Sequence, residues 1–299
     1  FLLGGVAYTV WREAGAPSQT LSLALKPALG WIESAIALNA VNLLFLAFVI
    51  IQVPYLFGGQ LNIDLRGMTY AEYARRGFGE LVFAAALTLG LLLALGTLTR
   101  RESARQTMAF NLSSTLTVGL TVVMLVSAFK RLLLYELAYG FTEMRVYPHV
   151  FMIWLALLLG WFLVTLWLKP GRFAVGLMLA CIGFVGTLDV MNVDAFVARQ
   201  NIRRYEQLGS SAFRTEGNYS GDSERIDTAY LTQLSDDAIP ALIEGVDRLA
   251  GHPKRNVELH LAERYAQLQE DASGRTWPSF HLAEWRAYRL LSVWPGAQR

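Results

Sequence analysis

The sequence has little cysteine and little charge. Its 299 residues include one cysteine, Cys181, so no disulfide can form within the chain. Only 17% of the residues are charged, against about a quarter in a typical soluble domain. The net charge of +2 is small and dispersed, which argues against the concentrated basic face of a nucleic-acid-binding protein. We therefore predict no nucleic-acid partner.

Several motifs of common enzymes are also missing. The chain contains no HExxH, no phosphate-binding GxxxxGK[ST], no GxGxxG and no GxSxG. These absences leave an enzymatic activity without support from the sequence. We predict no cofactor and no catalytic residue.

Long apolar runs are what the sequence has instead. Eighteen residues of helix span roughly 27 Å, which is close to the hydrocarbon thickness of a bilayer. Five uncharged runs reach or approach this length, and we predict membrane spans at residues 34–57, 81–98, 112–129, 150–168 and 173–188. The opening residues 1–11 are predicted to be the end of an earlier membrane helix.

The composition changes near residue 194. Beyond it, apolar residues such as Ala238, Leu242, Val246 and Leu249 recur at three- and four-residue steps, which is the period of an amphipathic helix. We predict an all-α protein in two parts. Residues 1–194 form a polytopic transmembrane helix bundle, and residues 195–299 form a small helical extramembrane tail.

Two asparagines lie one turn apart within the first predicted span. Asn39 and Asn42 are predicted to form hydrogen bonds between helices, which stabilise membrane bundles by about 0.6–2 kcal/mol each. The alternative interpretation is a polar lining of a transport route.

Charged and aromatic residues cluster at the end of the third span. If the helix continues past Phe129, Arg131, Tyr135 and Tyr139 share one face, because they follow one another at four-residue steps. Glu136 has no cation three or four residues away, so we predict that it pairs with Arg75, Arg76 or Arg145, which lie on the same side of the membrane. The predicted cluster at the membrane boundary comprises Arg75, Arg76, Lys130, Arg131, Tyr135, Glu136, Tyr139, Arg145, Asp189, Asp194 and Arg199.

Three roles are open for this boundary cluster. It can be a network of ion pairs and hydrogen bonds that fastens the helix ends and docks the tail. It can be a binding site for an anionic or zwitterionic molecule or lipid headgroup, because arginines and tyrosines converge. It can serve proton or ion translocation, although few polar residues lie deep in the spans.

A tetrapeptide occurs twice in the tail, with His260 and Glu263 in the first copy and His281 and Glu284 in the second. A histidine and a glutamate three residues apart share a helix face and can both ligate a metal ion. The same pattern is common on solvated helix surfaces, so we predict no metal site here.

Basic residues also indicate an orientation. Two short connections carry Arg100, Arg101, Arg105, Lys169 and Arg172, whereas the connections on the other side are longer and mix both charges. Since positively charged short loops stay in the cytoplasm, we predict that this side faces inward. The tail then lies on the extracytoplasmic side of a bacterial cytoplasmic membrane.

Three segments carry a family resemblance: TYAEYARRGFGEL at 69–81, YELAYGFTEMRVYPH at 135–149 and NVDAFVARQNIRRY at 192–205. Together with LTQLSDDAIPAL at 231–242, they resemble a bacterial family of multi-pass membrane proteins catalogued as domain of unknown function 4173. The resemblance covers about residues 40–249 and implies a polytopic membrane protein with a polar C-terminal part. It implies no activity. The residues that carry the resemblance are Arg75, Arg76, Glu136, Arg145, Asp194, Arg199 and Asn201.

The leading functional hypothesis is a non-catalytic membrane module that acts as a scaffold, accessory subunit or sensor. Its predicted partners are the lipid bilayer and other membrane protein subunits. The first alternative is a transporter or channel component, and the second is a membrane enzyme that acts on lipid or envelope material.

Overall fold

The computed structural model describes residues 29–57, 78–168, 172–209, 226–272 and 281–298. Short 3-10 turns lie at Asp236–Ala238, Val246–Arg248 and Pro295–Gln298. The α-helices in these ranges are α1 (Trp31–Phe57), α2 (Phe78–Leu98), α3 (Ala104–Tyr139), α4 (Glu143–Trp167), α5 (Phe173–Met191), α6 (Val193–Gly209), α7 (Thr228–Leu231), α8 (Ile239–Gly245), α9 (Gly251–Ala272) and α10 (Leu282–Val293).

The first five helices are each long and apolar enough to cross a membrane. They confirm the predicted all-α fold and contain the five predicted spans. The predicted helix at residues 1–11 lies outside the described residues.

Helix α3 is longer than its predicted span. It has 36 residues, or about 54 Å, and therefore extends beyond a hydrocarbon core of about 30 Å. Lys130 and Arg131 do not end it, because straight-chain residues are good helix formers. The helix begins after Ser103, whose hydroxyl accepts a hydrogen bond from the Gln106 amide, and ends at Gly140.

Helix α3 is the centre of the bundle. It packs against α1, α2 and α4, while α5 packs against the outer side of α4. The core between them includes Leu38, Leu92, Leu132 and Leu159, which are all at most 1% exposed. Within α5 only Gly176 and Ala180 are buried, so most of its side chains are exposed or half-buried.

The asparagine prediction is confirmed for Asn42. Its amide donates to the Ser113 carbonyl at 3.0 Å and accepts from the Thr117 hydroxyl at 2.7 Å, so it joins α1 to α3. Asn39 also takes part: its side chain donates to the Ala35 carbonyl of its own helix at 2.9 Å and accepts from the Ser113 hydroxyl of α3 at 3.5 Å. Asn42 is buried between the helices, whereas Asn39 is exposed and its interhelical bond is longer.

Two tryptophans of α4 fit over two glycines of α5. The rings of Trp161 and Trp154 occupy the space that a Cβ atom would need at Gly176 and Gly183. The Trp154 indole N–H also donates to the Thr187 hydroxyl at 3.1 Å. Small residues therefore let these two spans approach closely, as is common in membrane bundles.

The tail shares its hydrophobic core with the bundle. Val146 and Val150 of α4 belong to the same buried cluster as Leu231, Leu242 and Leu261 of the tail. Helix α6, which leads into the tail, begins at Val193, close to the predicted boundary after residue 194. The division into two domains stays a prediction, but the packing is continuous across it.

An ion pair fastens the inner part of the tail. The Arg264 guanidinium on α9 donates to both carboxylate oxygens of Asp236, each at 2.7 Å. These hydrogen bonds raise the pKa of Arg264. Such bidentate pairs add geometric specificity to their strength, and this one fixes α9 against the turn that precedes α8.

We expect Gly183→Leu to lower the free energy of unfolding by about 1–3 kcal/mol, because the added side chain overpacks the site and displaces Trp154. Gly186→Leu is the matched control, since nothing lies within 4 Å of a Cβ built at Gly186. Thermal unfolding in detergent measures both. Equal melting temperatures for the two variants would contradict the close packing of α4 on α5.

Candidate functional site

An asparagine holds the junction between α3, α4 and α6. The Asn201 side chain of α6 accepts a hydrogen bond from the Phe141 amide and donates one to the Phe141 carbonyl, each at 2.8 Å. Asn201 is 8% exposed. Phe141 lies between two helices, where its backbone groups have no helical partners of their own. We call this pair of bonds the Asn201 clamp.

The clamp requires glycine at the preceding position. Gly140 has φ of 86°, a conformation that L side chains rarely adopt. A Cβ atom there would also lie 2.8 Å from the Asn201 Oδ1. Backbone strain and close approach therefore both exclude a side chain at residue 140.

Arg145 fastens the same turn from the α4 side. Its guanidinium donates to the Gly140 carbonyl and, at 3.4 Å, to the Tyr135 hydroxyl. It also lies 4.3 Å above the centre of the Tyr135 ring, in a cation–π contact. Tyr139 packs edge-on against Tyr135 with ring centres 4.9 Å apart. Arg145 thus closes the turn between the two helices.

Of the three arginines predicted as partners of Glu136, Arg145 does not pair with it, and Arg75 and Arg76 lie outside the described residues. Glu136 is 1% exposed, and its Oε1 lies 3.2 Å from the Nδ1 of His149. That nitrogen also lies 3.3 Å from the Arg145 carbonyl oxygen, and the His149 ring packs edge-on against Phe129. Arg145 lies about one turn before His149 on α4 and therefore nearer the connection to α3. Its guanidinium donates to the Gly140 carbonyl there and not to Glu136.

The pair of Glu136 and His149 is incompletely satisfied. The 3.2 Å contact between Glu136 Oε1 and His149 Nδ1 lacks hydrogen-bond geometry, so Oε1 is buried without a hydrogen-bond partner among the residues that the structure describes, as is His149 Nε2. Burying such polar atoms costs about 1–3 kcal/mol each. Both atoms are therefore candidates for contact with a further polar group at the membrane boundary.

A second group of contacts joins α4 and α6 to the tail. The Glu143 backbone amide donates to the Tyr230 hydroxyl at 3.1 Å. The Asp194 carboxylate accepts from the Ser235 hydroxyl and, at 3.1 Å, from the Ser235 amide. Burial raises the pKa of Tyr230, so its hydroxyl stays protonated. The start of α4 is thus bonded directly to tail residues.

A groove of about 830 Å³ lies beside these contacts, between the ends of α4, α5, α6 and α10. We call it the acidic groove, because four carboxylates and one guanidinium provide its charge. Its apolar wall comes mainly from the last turns of α5 and the start of α10. The lining residues are Glu143, Tyr147, Phe184, Leu188, Asp189, Asn192, Val193, Asp194, Asp237, Leu282, Ala283 and Arg286.

Asn192 sets the direction of the chain at the groove. It is the one non-glycine residue with positive φ, at 49°, among the described residues. Its side chain accepts from the Ala195 amide at 3.1 Å and donates to the Asp237 carboxylate at 3.3 Å. Asparagine tolerates this left-handed conformation better than most residues. It therefore ends the last span, caps α6 and holds Asp237 at the rim.

The structure brings together some members of the predicted boundary cluster. Tyr135, Tyr139 and Arg145 form one contact group, with Glu136 beside it, and Asp189 and Asp194 line the acidic groove. Arg199 lies elsewhere, in a small hollow against α8 with Arg203, Glu244 and Arg248.

Four members of the predicted boundary cluster remain. Lys130 is exposed and Arg131 is partly buried, both on α3 before Glu136. Arg75 and Arg76 lie outside the described residues.

The histidine and glutamate pairs of the tail do not line the acidic groove. His260 and Glu263 lie on α9, His281 precedes α10 and Glu284 lies in its first turn. Burial lowers the pKa of His260. In the described ranges, no group of three or more histidine, cysteine, aspartate or glutamate side chains could hold a metal ion.

Sequence reasoning missed several residues of the site. His149 stands in the segment at 135–149 that carries the resemblance, but its pairing with Glu136 depends on the rotation of α4. Tyr230, Asp237 and Arg286 come from the tail. The one available signal was the rarity of histidine, with four in the chain, since an isolated histidine beside a membrane span is functionally suggestive.

These features define an all-α, multi-pass integral membrane protein. Residues 1–245 match the family model described as Domain of unknown function (DUF4153), and the chain belongs to that family. The match supports the expectation of a family of unknown function, but it does not confirm the number 4173. Neither a curated protein nor a solved structure matches the chain.

We expect Asn201→Ala to lower the free energy of unfolding by about 2–4 kcal/mol, because it leaves the amide and carbonyl of Phe141 without their partners. Asn256→Ala is the control, since Asn256 is exposed and makes one side-chain hydrogen bond, at 3.3 Å to Thr228. Thermal unfolding in detergent compares them. A shift for Asn201→Ala no larger than that of the control would remove the clamp from the structural account.

Proposed function

We propose that the protein is a non-catalytic membrane module that holds its helical tail in a fixed position on the bundle, as a scaffold or accessory subunit. One observation carries this proposal: the buried core continues from Val146 and Val150 of α4 into the tail. A tail attached by a flexible linker would have a separate core. The shared core instead supports a rigid platform.

The polar contacts support the same function. Asn201 and Arg145 bond to backbone groups of neighbouring segments. Such bonds hold segments in place and leave these side chains less available for chemistry. The chief polar residues of the junction are accordingly structural in this proposal.

The partners that we propose are lipids and other membrane subunits. Two helices support this: most side chains of α5 are exposed or half-buried, and α1 has large exposed apolar residues, among them Leu43, Ile50 and Ile51. Apolar surface of this extent needs a cover in the membrane, either from acyl chains or from another helix.

A pull-down from the native membrane tests the scaffold. We expect the full chain to retain a stoichiometric protein partner, and we expect Asn201→Ala to lose it while staying in the membrane, because the tail is no longer held. Asn256→Ala should keep the partner. Isolation of the wild-type protein alone, as a single monodisperse species, would contradict the proposal.

We also propose that the tail is extracytoplasmic in a bacterial cytoplasmic membrane. The segment at Leu29 bonds to the end of α2, where the Arg100 amide donates to the Leu29 carbonyl at 3.0 Å. The start of α1 and the end of α2 therefore share one side with the arginine-rich connection. The alternation of spans puts the tail on the opposite side.

Cysteine labelling tests this orientation in a Cys181→Ala background. We expect a membrane-impermeant maleimide to label Glu263→Cys in intact spheroplasts and Arg105→Cys only after lysis, since both positions are exposed but lie on opposite sides. The reverse pattern would place the tail in the cytoplasm.

A transporter component is the second candidate, and the buried pair of Glu136 and His149 favours it. Under the scaffold proposal, vesicles containing the protein should pass protons no faster than empty vesicles. A pH-sensitive dye inside the vesicles measures this. A flux that disappears in Glu136→Gln and persists in Glu263→Gln would support the transporter instead.

A further inference from the structure

The acidic groove has two different walls. Phe184 and Leu188 of α5 form an apolar wall near the end of a membrane span. Carboxylates from α4, α5, α6 and the turn before α8 surround the other side, and Arg286 of α10 supplies the one cation among the lining residues. The groove is therefore amphiphilic, with charge next to an apolar surface.

The charges of the groove are not neutralised within the described residues. Glu143, Asp189, Asp194 and Asp237 form no ion pair with any cation there, and Arg286 has neither an ion pair nor a hydrogen bond. The carboxyl groups of Glu143 and Asp194 even lie against each other. Like charges that close repel, and a cation between them removes the repulsion.

The apolar wall continues onto the outside of the bundle. On α5, Leu177 is 43% exposed and lies two turns before Phe184, a lining residue of the groove, on the same face of the helix. In a membrane, this outer surface of α5 contacts acyl chains. An occupant of the groove can therefore lie with its polar end among the carboxylates and its apolar part along α5.

We propose that the acidic groove binds the headgroup of a phospholipid that carries a primary ammonium group. Glu143 and Asp194 accept hydrogen bonds from the ammonium, Arg286 binds the phosphate, and the acyl chains follow α5. This assignment does not depend on the scaffold function.

The chemistry selects this headgroup over others. A primary ammonium has three N–H donors for carboxylate oxygens, and such charge-assisted hydrogen bonds are strong. A choline headgroup has no N–H donor and is typically held by aromatic cages. An anionic glycerol headgroup brings only negative charge to a site with four carboxylates and one guanidinium.

The size of the groove agrees with this occupant. Its volume of about 830 Å³ lies in the range of small-molecule sites, about 300–1,000 Å³. That volume accommodates a headgroup, the glycerol and the first carbons of the chains.

Thermal unfolding of the full chain in detergent tests the proposal. The probes are short-chain phosphatidylethanolamine, phosphatidylcholine and phosphatidylglycerol with identical chains, and soluble glycerophosphoethanolamine. We expect phosphatidylethanolamine alone to raise the melting temperature in a concentration-dependent way, because a ligand stabilises the state that it binds. Equal stabilisation by the choline lipid would overturn the proposal on the wild-type protein alone.

Two variants locate the binding site. Asp189→Asn and Arg286→Gln change groove residues whose side chains have no bonded partner among the described residues, so both should fold. We expect Arg286→Gln, which removes the phosphate contact, to weaken the apparent affinity for phosphatidylethanolamine about tenfold. Asp189→Asn, which removes one negative charge from the groove, should weaken it about two- to fivefold, while Glu263→Gln on the exposed side of α9 leaves it unchanged. Unchanged affinity in both groove variants would place the lipid elsewhere.

Soluble glycerophosphoethanolamine and a lysine-rich peptide test two other sources of an ammonium group. If glycerophosphoethanolamine binds as tightly as the lipid, the acyl chains contribute nothing and the lipid assignment fails. If a lysine-rich peptide stabilises the protein and phosphatidylethanolamine does not, the groove binds a basic protein segment and the proposal is wrong.

Discussion

The two hydrogen bonds between Asn201 and Phe141 are the constraint on which the rest of the structure depends. In the connection between α3 and α4, Gly140 is buried and Phe141 is half-buried, so backbone groups there need partners from the protein. The Asn201 amide satisfies both groups of Phe141 at once, so the connection can be short. That short turn places Arg145 over Tyr135 and His149 beside Glu136. It also brings α6, and with it the described part of the tail, onto the bundle.

The same junction creates both the rigidity and the polarity of the site. Val146 and Val150 anchor the tail core on α4, and the start of that helix bonds to Tyr230. Asn192 turns the chain between α5 and α6 in a left-handed conformation. Because these contacts draw three helix ends together, their acidic residues meet in one groove. The negative charge there is a consequence of convergence, since the carboxylates come from separate elements.

Much of the fold could be predicted because bilayer thickness determines the length of each apolar run, and Asn42 could be expected to bond between helices because a buried amide in a membrane needs partners. Side-chain pairing could not be predicted in the same way. Whether Glu136 meets Arg145 or His149 depends on the rotation of α4 about its axis, which no local pattern encodes. The contributions of Asp237 and Arg286 depend on how the tail folds back. The Asn201 clamp could not be predicted either, because the sequence around Gly140 does not show which side chain approaches its backbone.

The fit of Trp154 and Trp161 over the glycines of α5 has a consequence for biogenesis. These contacts join neighbouring spans whose connection is only a few residues long, so forming them closes a small loop at low entropic cost. Helices α4 and α5 can therefore enter the bilayer as a preassembled pair. Such a pair inserts together and brings Asp189 to the end of α5, and α6 can then complete the junction on the same side of the membrane.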